Sequence, residues 1–277
     1  MSAPVPAPAD RAPALSAADA LQAALDAARG GAPVVAAVLV EAPEPALLGR
    51  RLLVWAERHA GSLGDAALDA RAVEAARALL AQGRAQALPL PGGTGCLLYC
   101  EPHRPPPELL IVGAGHLARP LCRLGALLGF AVTVLDDRPE FATRERFPEA
   151  REVRRADFSA PLAGLALGPA AHLVLVTRGH KYDFAVLREL LHLPVEPAYV
   201  GMVGSRRRVR ATLQQLADEG IAPERLRAVY APIGLDLGAE TPEEIAVAIA
   251  AELVKLRRGG TGLSLRERER VAERLLR

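Results

Sequence analysis

The chain has 277 residues, enough for one large domain or two modest ones, and 51% of them are apolar, so material for a core is ample. The 34 basic and 32 acidic side chains leave a formal net charge of +2. A general nucleic-acid-binding surface needs a larger basic excess. We find no stretch of roughly 18 continuous apolar residues, the length of a membrane span. We therefore expect a cytoplasmic protein that binds neither nucleic acid nor a membrane.

The three cysteines are Cys96, Cys100 and Cys122. An odd, small number of cysteines predicts no disulfide framework. The spacing of the first two does not match a CxxC pair, and no second pair of ligands follows. We therefore interpret all three as small buried apolar residues and predict no metal site.

The first part of the chain predicts a small α/β domain over residues 13–100, after a proline-rich, disordered lead at 1–12. Ser16 is placed to cap a helix that runs to Arg29. The remaining predicted elements are strands at 34–40, 50–55 and 96–99 and a helix at 66–81. Residues 101–107 contain three consecutive prolines and predict an extended polyproline linker.

Beyond the linker, strands and helices alternate through residues 108–258. The predicted strands are 109–112, 131–135, 172–176 and 198–203, and the predicted helices are 116–128, 183–191, 206–219 and 241–258. This alternation predicts a Rossmann-like α/β domain, with a parallel sheet covered on both faces. Residues 259–277 are charged and predict a helical tail.

A glycine-rich turn follows the first of these strands. Gly113, Gly115 and Ala118 match the pattern G-x-G-x-x-[G/A], whose glycines allow a tight turn and let a phosphate approach the backbone. The helix that follows would add free N–H groups and the positive end of its dipole. Asp136 and Asp137 come about 20 residues later, where an acid can bind ribose hydroxyls.

Polar side chains cluster after the strand at 172–176. Arg178 and Lys181 suit an anionic group, and His180 can change its charge near neutral pH. Ligands of open α/β sheets lie beyond the carboxyl ends of the strands, so we predict that this cluster belongs to a site. We expect Asp183 to cap the next helix instead.

A third cluster opens the helix at 206–219. Gly204 and Ser205 end a strand and are followed by Arg206, Arg207 and Arg208. Cations at a helix N-terminus oppose the helix dipole, a cost that an anionic ligand would offset. A solvated basic helix face is the alternative, and we favour phosphate binding.

The last segment of interest is 231–244. Thr241 and Glu244 form a capping box and are interpreted as structural. The preceding loop is flexible and acidic, with Gly234 and Asp236 as candidate ligand contacts.

His116 lies inside the glycine turn, where it either contacts a ligand or caps the helix. The sequence contains no Ser-His-Asp elbow, HExxH motif or P-loop lysine. We therefore predict no catalytic residues and favour a protein that binds a ligand over one that catalyses a reaction.

Together these segments resemble the XdhC/CoxI family, the xanthine dehydrogenase accessory proteins. The matching stretches, in the order of the family, are GAGH at 113–116, DDRPEFAT at 136–143, ERFP at 145–148, TRGH at 177–180, GMVGSRR at 201–207 and APIGLDLGAETPEEIA at 231–246. In the first domain the resemblance is weaker. GSLG at 61–64 is followed by DAALD, without the family's glycine turn and its Cys or His.

The resemblance implies a chaperone in the maturation of a molybdenum hydroxylase such as xanthine or carbon monoxide dehydrogenase. Its ligand would be molybdenum cofactor, a pterin that bears a phosphate, delivered in sulfurated form to the apo-enzyme. A cysteine desulfurase and a second copy of the chain are further candidate partners. The alternative is an NAD(P)-dependent oxidoreductase that uses the same Gly113 turn.

Overall fold

A computed structural model describes residues 15–80, 82–92 and 94–275. The lead predicted for 1–12 lies outside these residues. The chain divides into two compact units, with the boundary between Pro106 and Pro107. Within the described residues, no helix is both long enough and apolar enough to cross a membrane.

The first unit is a five-stranded antiparallel sheet with the order β3-β2-β1-β5-β4. Its elements are α1 (Ala17–Ala28), β1 (Val34–Glu41), a 3-10 turn (Pro45–Leu47), β2 (Arg51–Val54), β3 (His59–Gly61), α2 (Ala66–Leu80), β4 (Gln86–Pro89) and β5 (Leu97–His103). The predicted cap is confirmed, since Ser16 and Asp19 form a capping box at the start of α1.

The polyproline linker predicted for 101–107 is wrong at its first three residues. Glu101, Pro102 and His103 continue β5 and pair with β1. The ladder between β4 and β5 covers only residues 97–100 of β5. Pro102, which has no N–H to donate, therefore lies where one side of the strand is unpaired.

All three cysteines are buried, as predicted. Cys96 and Cys100 lie in the core of the first unit, and Cys122 lies in the second unit between its sheet and a covering helix.

The second unit holds a six-stranded sheet in which every neighbouring pair of strands is parallel. Its elements are β6 (Glu108–Val112), α3 (Ala118–Leu127), β7 (Ala131–Asp136), β8 (Glu152–Arg155), β9 (Ala171–Leu175), α4 (His180–His192), β10 (Tyr199–Met202), α5 (Arg206–Asp218), α6 (Pro223–Arg227), β11 (Val229–Tyr230), α7 (Pro242–Arg258), α8 (Leu265–Glu269) and α9 (Val271–Leu275).

The strand order is β8-β7-β6-β9-β10-β11, which is the order 3-2-1-4-5-6 of the Rossmann fold when β6 is counted first. One core lies between the sheet and helices α3 and α7, and the other lies against α4 and α5. The predicted parallel Rossmann-like sheet is therefore confirmed. The strand order reverses between β6 and β9, so a ligand is expected beyond the ends of these two strands.

Two strands of this sheet escape prediction because neither carries an apolar run. β8 has the sequence EVRR and lies at one edge, and β11 has only two residues and lies at the other. Edge strands bury less side-chain surface than central ones, so charged or very short segments can form them.

Candidate functional site

The turn after β6 requires glycine at its first position. Gly113 has a φ of +108°, and its N–H donates to the carbonyl of Leu135 at 2.7 Å. A Cβ atom here would lie 2.6 Å from the carbonyl oxygen of Val176. Gly115 differs, since a Cβ atom there would meet nothing within 4 Å. Gly113 therefore allows the close packing of the turn, and Gly115 leaves open space above it.

The open side of this turn presents unused backbone donors. Gly115, His116 and Leu117 precede helix α3, and their N–H groups donate to no acceptor among the described residues. These donors and the positive end of the helix dipole suit an anion. The N-cap is Leu117, so the alternative in which His116 caps the helix is wrong.

Asp136 ends β7 beside this turn and is almost fully buried. One carboxylate oxygen accepts from the N–H of Ala114 at 2.7 Å. Arg138 donates through its backbone N–H at 3.0 Å, Nε at 2.8 Å and Nη2 at 2.9 Å. Burial alone would raise the pKa of Asp136, but these hydrogen bonds outweigh it and lower the pKa to about 2. Oδ2 thus binds both the turn and Arg138, and Oδ1 accepts two hydrogen bonds from Arg138, so neither oxygen is free for a ribose hydroxyl.

Asp137 and Arg178 form a two-pronged ion pair, with Nη1–Oδ1 at 2.6 Å and Nη2–Oδ2 at 2.8 Å. The Nη1 atom of Arg178 also lies 3.9 Å from Oδ1 of Asp136. The guanidinium stacks over the ring of Tyr182 at 4.0 Å and donates to its hydroxyl. The structure therefore brings together two residues that the sequence places 41 positions apart.

A buried network lies next to this pair. Asp183 is fully buried and accepts from the hydroxyl of Thr177 at 2.6 Å and from Nε of Arg208 at 2.6 Å. Burial raises the pKa of Asp183, while the bonds from Thr177 and Arg208 act in the opposite direction. Helix α4 begins at His180 with Gly179 as its cap, so the prediction that Asp183 caps this helix is wrong.

The three consecutive arginines of α5 have different environments. Arg208 turns inward to Asp183 and Thr177. Arg206 and Arg207 are exposed and form no ion pair with a described residue. Ser205 caps the helix by accepting from the N–H of Arg208 at 3.3 Å. Two cations therefore stay available at a helix N-terminus, as an anion site requires.

The remaining predicted residues lie outside this network. His180 stacks on Phe184 at 6.5 Å. Gly204 precedes the Ser205 cap and lies close to Arg208, since a Cβ atom there would be 3.3 Å from its Cδ. Gly234 donates its N–H to the buried carboxylate of Glu252 at 3.0 Å, which fixes the loop to α7.

Asp236 is exposed and makes no hydrogen bond or ion pair with the described residues.

A cavity of about 520 Å³ is lined by His116 and Arg119 at the start of α3 and by Glu243 of α7. Among the described residues, no cluster of His, Cys, Asp and Glu could hold a metal ion.

Sequence reasoning missed Arg138 and Arg146. Arg138 binds Asp136, and its guanidinium lies 3.7 Å from the ring of Phe141. Arg146 approaches the same ring at 4.7 Å and donates to the carbonyl of Ala114 at 3.3 Å. The buried Nε of Arg146 has no partner among the described residues. The arginine two residues after Asp136 was the available signal for Arg138, whereas nothing in the spacing indicates Arg146.

Comparison with known families gives two matches. The description "XdhC Rossmann domain" matches residues 109–253, more than half of the chain. The description "XdhC and CoxI family" matches residues 27–90.

Two curated relatives are 32% identical to the chain. The uncharacterized protein YqeB of Escherichia coli (strain K12) matches over 184 residues, which are 66% of this chain and 33% of the relative. A probable xanthine dehydrogenase subunit of Bacillus subtilis (strain 168) matches over 161 residues, 58% of this chain and 46% of the relative. The chain thus spans between a third and a half of the length of these relatives.

Among solved structures, a xanthine dehydrogenase from Bacillus halodurans superposes with a TM-score of 0.65 at 23% sequence identity. The match covers 91% of this chain and 68% of that chain. At this level of identity the likeness shows a shared fold.

Substitution by alanine should have different effects at Gly113 and Gly115, one on stability and the other on ligand binding. Gly113→Ala should lower the free energy of unfolding by about 2 kcal/mol or more, because the methyl group meets Val176 in a strained backbone. Gly115→Ala should change it by less than about 0.5 kcal/mol. If the turn binds an anion, this substitution should instead weaken binding of inorganic pyrophosphate, used as a probe, by about fivefold, because the methyl group occupies the open space above the turn. Urea denaturation and calorimetric titration measure the two effects. Equal stability losses would contradict the assignment.

Alanine substitutions of the three arginines of α5 should likewise differ in their effects on stability and binding. Arg208→Ala leaves the buried Asp183 without its cation and should cost about 3 kcal/mol of unfolding free energy. Arg206→Ala and Arg207→Ala should each stay within about 0.5 kcal/mol of the unchanged protein while weakening pyrophosphate binding. If all three variants lose the same stability, Arg208 has no special structural role.

The lowered pKa of Asp136 predicts a specific loss of stability in acid. Its folded pKa of about 2 lies below the ordinary 3.8, so its contribution is complete above about pH 4 and is lost as the pH falls towards 2. Over that window the loss should be about 2 kcal/mol. Denaturation curves of the unchanged protein and Asp136→Asn test this, because the stability difference between them should shrink on acidification. A difference that does not change with pH would contradict it.

Proposed function

The chain belongs to the XdhC and CoxI family, and we propose that it serves the maturation of xanthine dehydrogenase or a related molybdenum hydroxylase. In this proposal it binds molybdenum cofactor in the cytoplasm and delivers it, in sulfurated form, to the apo-enzyme. The name of the Bacillus subtilis relative supports the link to xanthine dehydrogenase.

The observation that carries the proposal is a set of unused anion donors at the ends of the parallel strands. The backbone N–H groups of Gly115, His116 and Leu117 donate to no described acceptor, and Arg206 and Arg207 at the start of α5 form no ion pair with a described residue. Both groups lie beyond the carboxyl ends of strands of the same parallel sheet. A phosphate carried by a pterin fits this set of donors.

The residues present fit the phosphate of such a cofactor. Gly115 and His116 would hold it through backbone N–H groups, with Arg206 and Arg207 as cationic partners. The bound cofactor itself would supply the molybdenum and sulfur chemistry that the client enzyme needs. The chain's own part would be to bind and orient the cofactor and then release it.

The thiols support a carrier that receives sulfur from another protein. Burial raises the pKa of Cys100 and of Cys122 to about 11, so neither is present as a thiolate near neutral pH. Cys96 is buried as well. A cysteine desulfurase is therefore proposed as the sulfur donor, beside the apo-hydroxylase as recipient. A homodimer is proposed as the assembly that contacts them.

Purification from cells that make molybdenum cofactor tests the proposal. We expect stoichiometric pterin fluorescence after oxidative release from the unchanged chain, and loss of most of it from Arg206→Ala/Arg207→Ala. Arg266→Ala/Arg268→Ala is a matched control, since it removes two exposed cations from α8, a helix that carries none of the proposed anion donors. Absence of pterin from every preparation, together with no binding to an apo-hydroxylase, would refute the proposal.

An NAD(P)-binding oxidoreductase is the second candidate, and the strand order 3-2-1-4-5-6 favours it. Against it, both carboxylate oxygens of Asp136 are engaged by Ala114 and Arg138. Titration with NADH and NADPH distinguishes the candidates. Micromolar binding with turnover would favour the oxidoreductase.

A further inference from the structure

The ion pair between Asp137 and Arg178 crosses the end of the strand that carries the glycine turn. Asp137 follows β7, and Arg178 follows β9. These two strands flank β6 on its two sides in the sheet. A contact between their ends must therefore pass the end of β6, where Gly113 begins the turn.

The position of the guanidinium supports this placement. Nη1 of Arg178 lies 3.9 Å from Oδ1 of Asp136, and Oδ2 of Asp136 accepts from Ala114 inside the turn at 2.7 Å. The carboxylate of Asp136 thus contacts the backbone of the turn and also lies close to Arg178.

We propose that Asp137 is a specificity-determining residue that occupies Arg178 until an anionic group of the ligand displaces it. The inference rests on the anion site of the proposed function. In the free protein both carboxylate oxygens of Asp137 accept from Arg178, so the acid competes with the ligand and does not bind it. A neutral ligand cannot replace a carboxylate on a guanidinium, whereas a phosphate can do so with two hydrogen bonds.

Solvent exposure makes such an exchange feasible. The side chain of Asp137 is 30% exposed and that of Arg178 is 37% exposed. The attraction within an exposed ion pair changes an equilibrium constant by only about fivefold or less. A phosphate of higher charge can therefore compete with Asp137 for Arg178. Tyr182 would keep Arg178 at the end of β9 after the exchange, because it contacts the guanidinium through both its ring and its hydroxyl.

The neighbouring pair is built differently and serves as an internal comparison. Asp136 is almost fully buried and also binds the backbone of the turn, so releasing Arg138 from it would disrupt the fold. Asp137 makes no hydrogen bond to the backbone in the described part of the chain. Its carboxylate binds Arg178 alone among the described residues, so exchange of this partner breaks no hydrogen bond to the backbone.

Calorimetric titration with inorganic pyrophosphate tests the proposal on the full chain. Asp137→Asn should bind pyrophosphate about fivefold more tightly than the unchanged protein, because the competing charge is gone. Arg178→Gln should bind it more weakly. Glu108→Gln, which removes the same charge from the exposed pair with Arg151, should leave the affinity unchanged.

A double variant separates competition from simple repulsion. If Asp137 acts by occupying Arg178, Asp137→Asn should give no gain in affinity when Arg178→Gln is already present. A gain that persists in that background would overturn the proposal, since repulsion between Asp137 and the ligand would then suffice. Equal or weaker binding by Asp137→Asn alone would also overturn it and make Asp137 a ligand-binding residue.

The remaining outcomes distinguish this inference from the proposed function. Absence of pyrophosphate binding in every variant would overturn the role of Asp137, whereas the molybdenum cofactor proposal is decided by the pterin and apo-hydroxylase measurements. Tighter binding by Asp137→Asn in a protein that carries no pterin and binds no apo-hydroxylase would refute the molybdenum cofactor proposal and support the role of Asp137.

Discussion

The carboxylate of Asp136 is the constraint on which the candidate site depends. It ends β7, accepts from the N–H of Ala114 in the neighbouring turn and binds Arg138 through two side-chain hydrogen bonds. A buried carboxylate without such partners would be costly, so the turn and the arginine must both be in place for the strand to end here. Its hydrogen bond to Ala114 fixes the turn after Gly113, and the next three backbone N–H groups, of Gly115, His116 and Leu117, donate to no described acceptor. An acid that suggests ribose binding in the sequence thus binds the protein's own backbone and the side chain of Arg138.

A second buried acid organises the other half of the site. Asp183 binds Thr177 and Arg208, which joins the loop after β9 to the first turn of α5. This contact uses one arginine of three, and it explains why a cationic helix start is tolerated. The dipole opposes all three charges, but Arg206 and Arg207 lack a compensating acid among the described residues. The uncompensated charge at the start of α5 is therefore positive and local, although the whole chain is nearly neutral.

The sequence predicts the scaffold better than the contacts made on it. Periodic apolar runs identify β6, β7, β9 and β10, and caps such as the box of Thr241 and Glu244 locate helix ends. Charged β8 and two-residue β11 lack that signal because edge strands bury little. Partner choice is harder still. Asp183 is of a residue type that often caps helices, but it lies in the core. Its role there depends on Arg208, which comes 25 residues later in the sequence and supplies its ion-pair partner. The pairing of Asp137 with Arg178 likewise depends on which strands flank β6.

Competition inside the site also bears on how a carrier releases its ligand. When the binding-competent state is only a fraction of the free protein, the apparent affinity falls by that fraction. An internal carboxylate that returns to Arg178 as the phosphate leaves would offset the loss of the ligand's contacts. Release would then leave Arg178 paired, and the neighbouring Asp136–Arg138 pair would keep the turn intact throughout. Under the proposed function this competition would favour transfer, because a cofactor held only by uncompensated cations would leave more slowly. The exposed ion pair and the buried one beside it therefore suit reversible binding better than permanent retention.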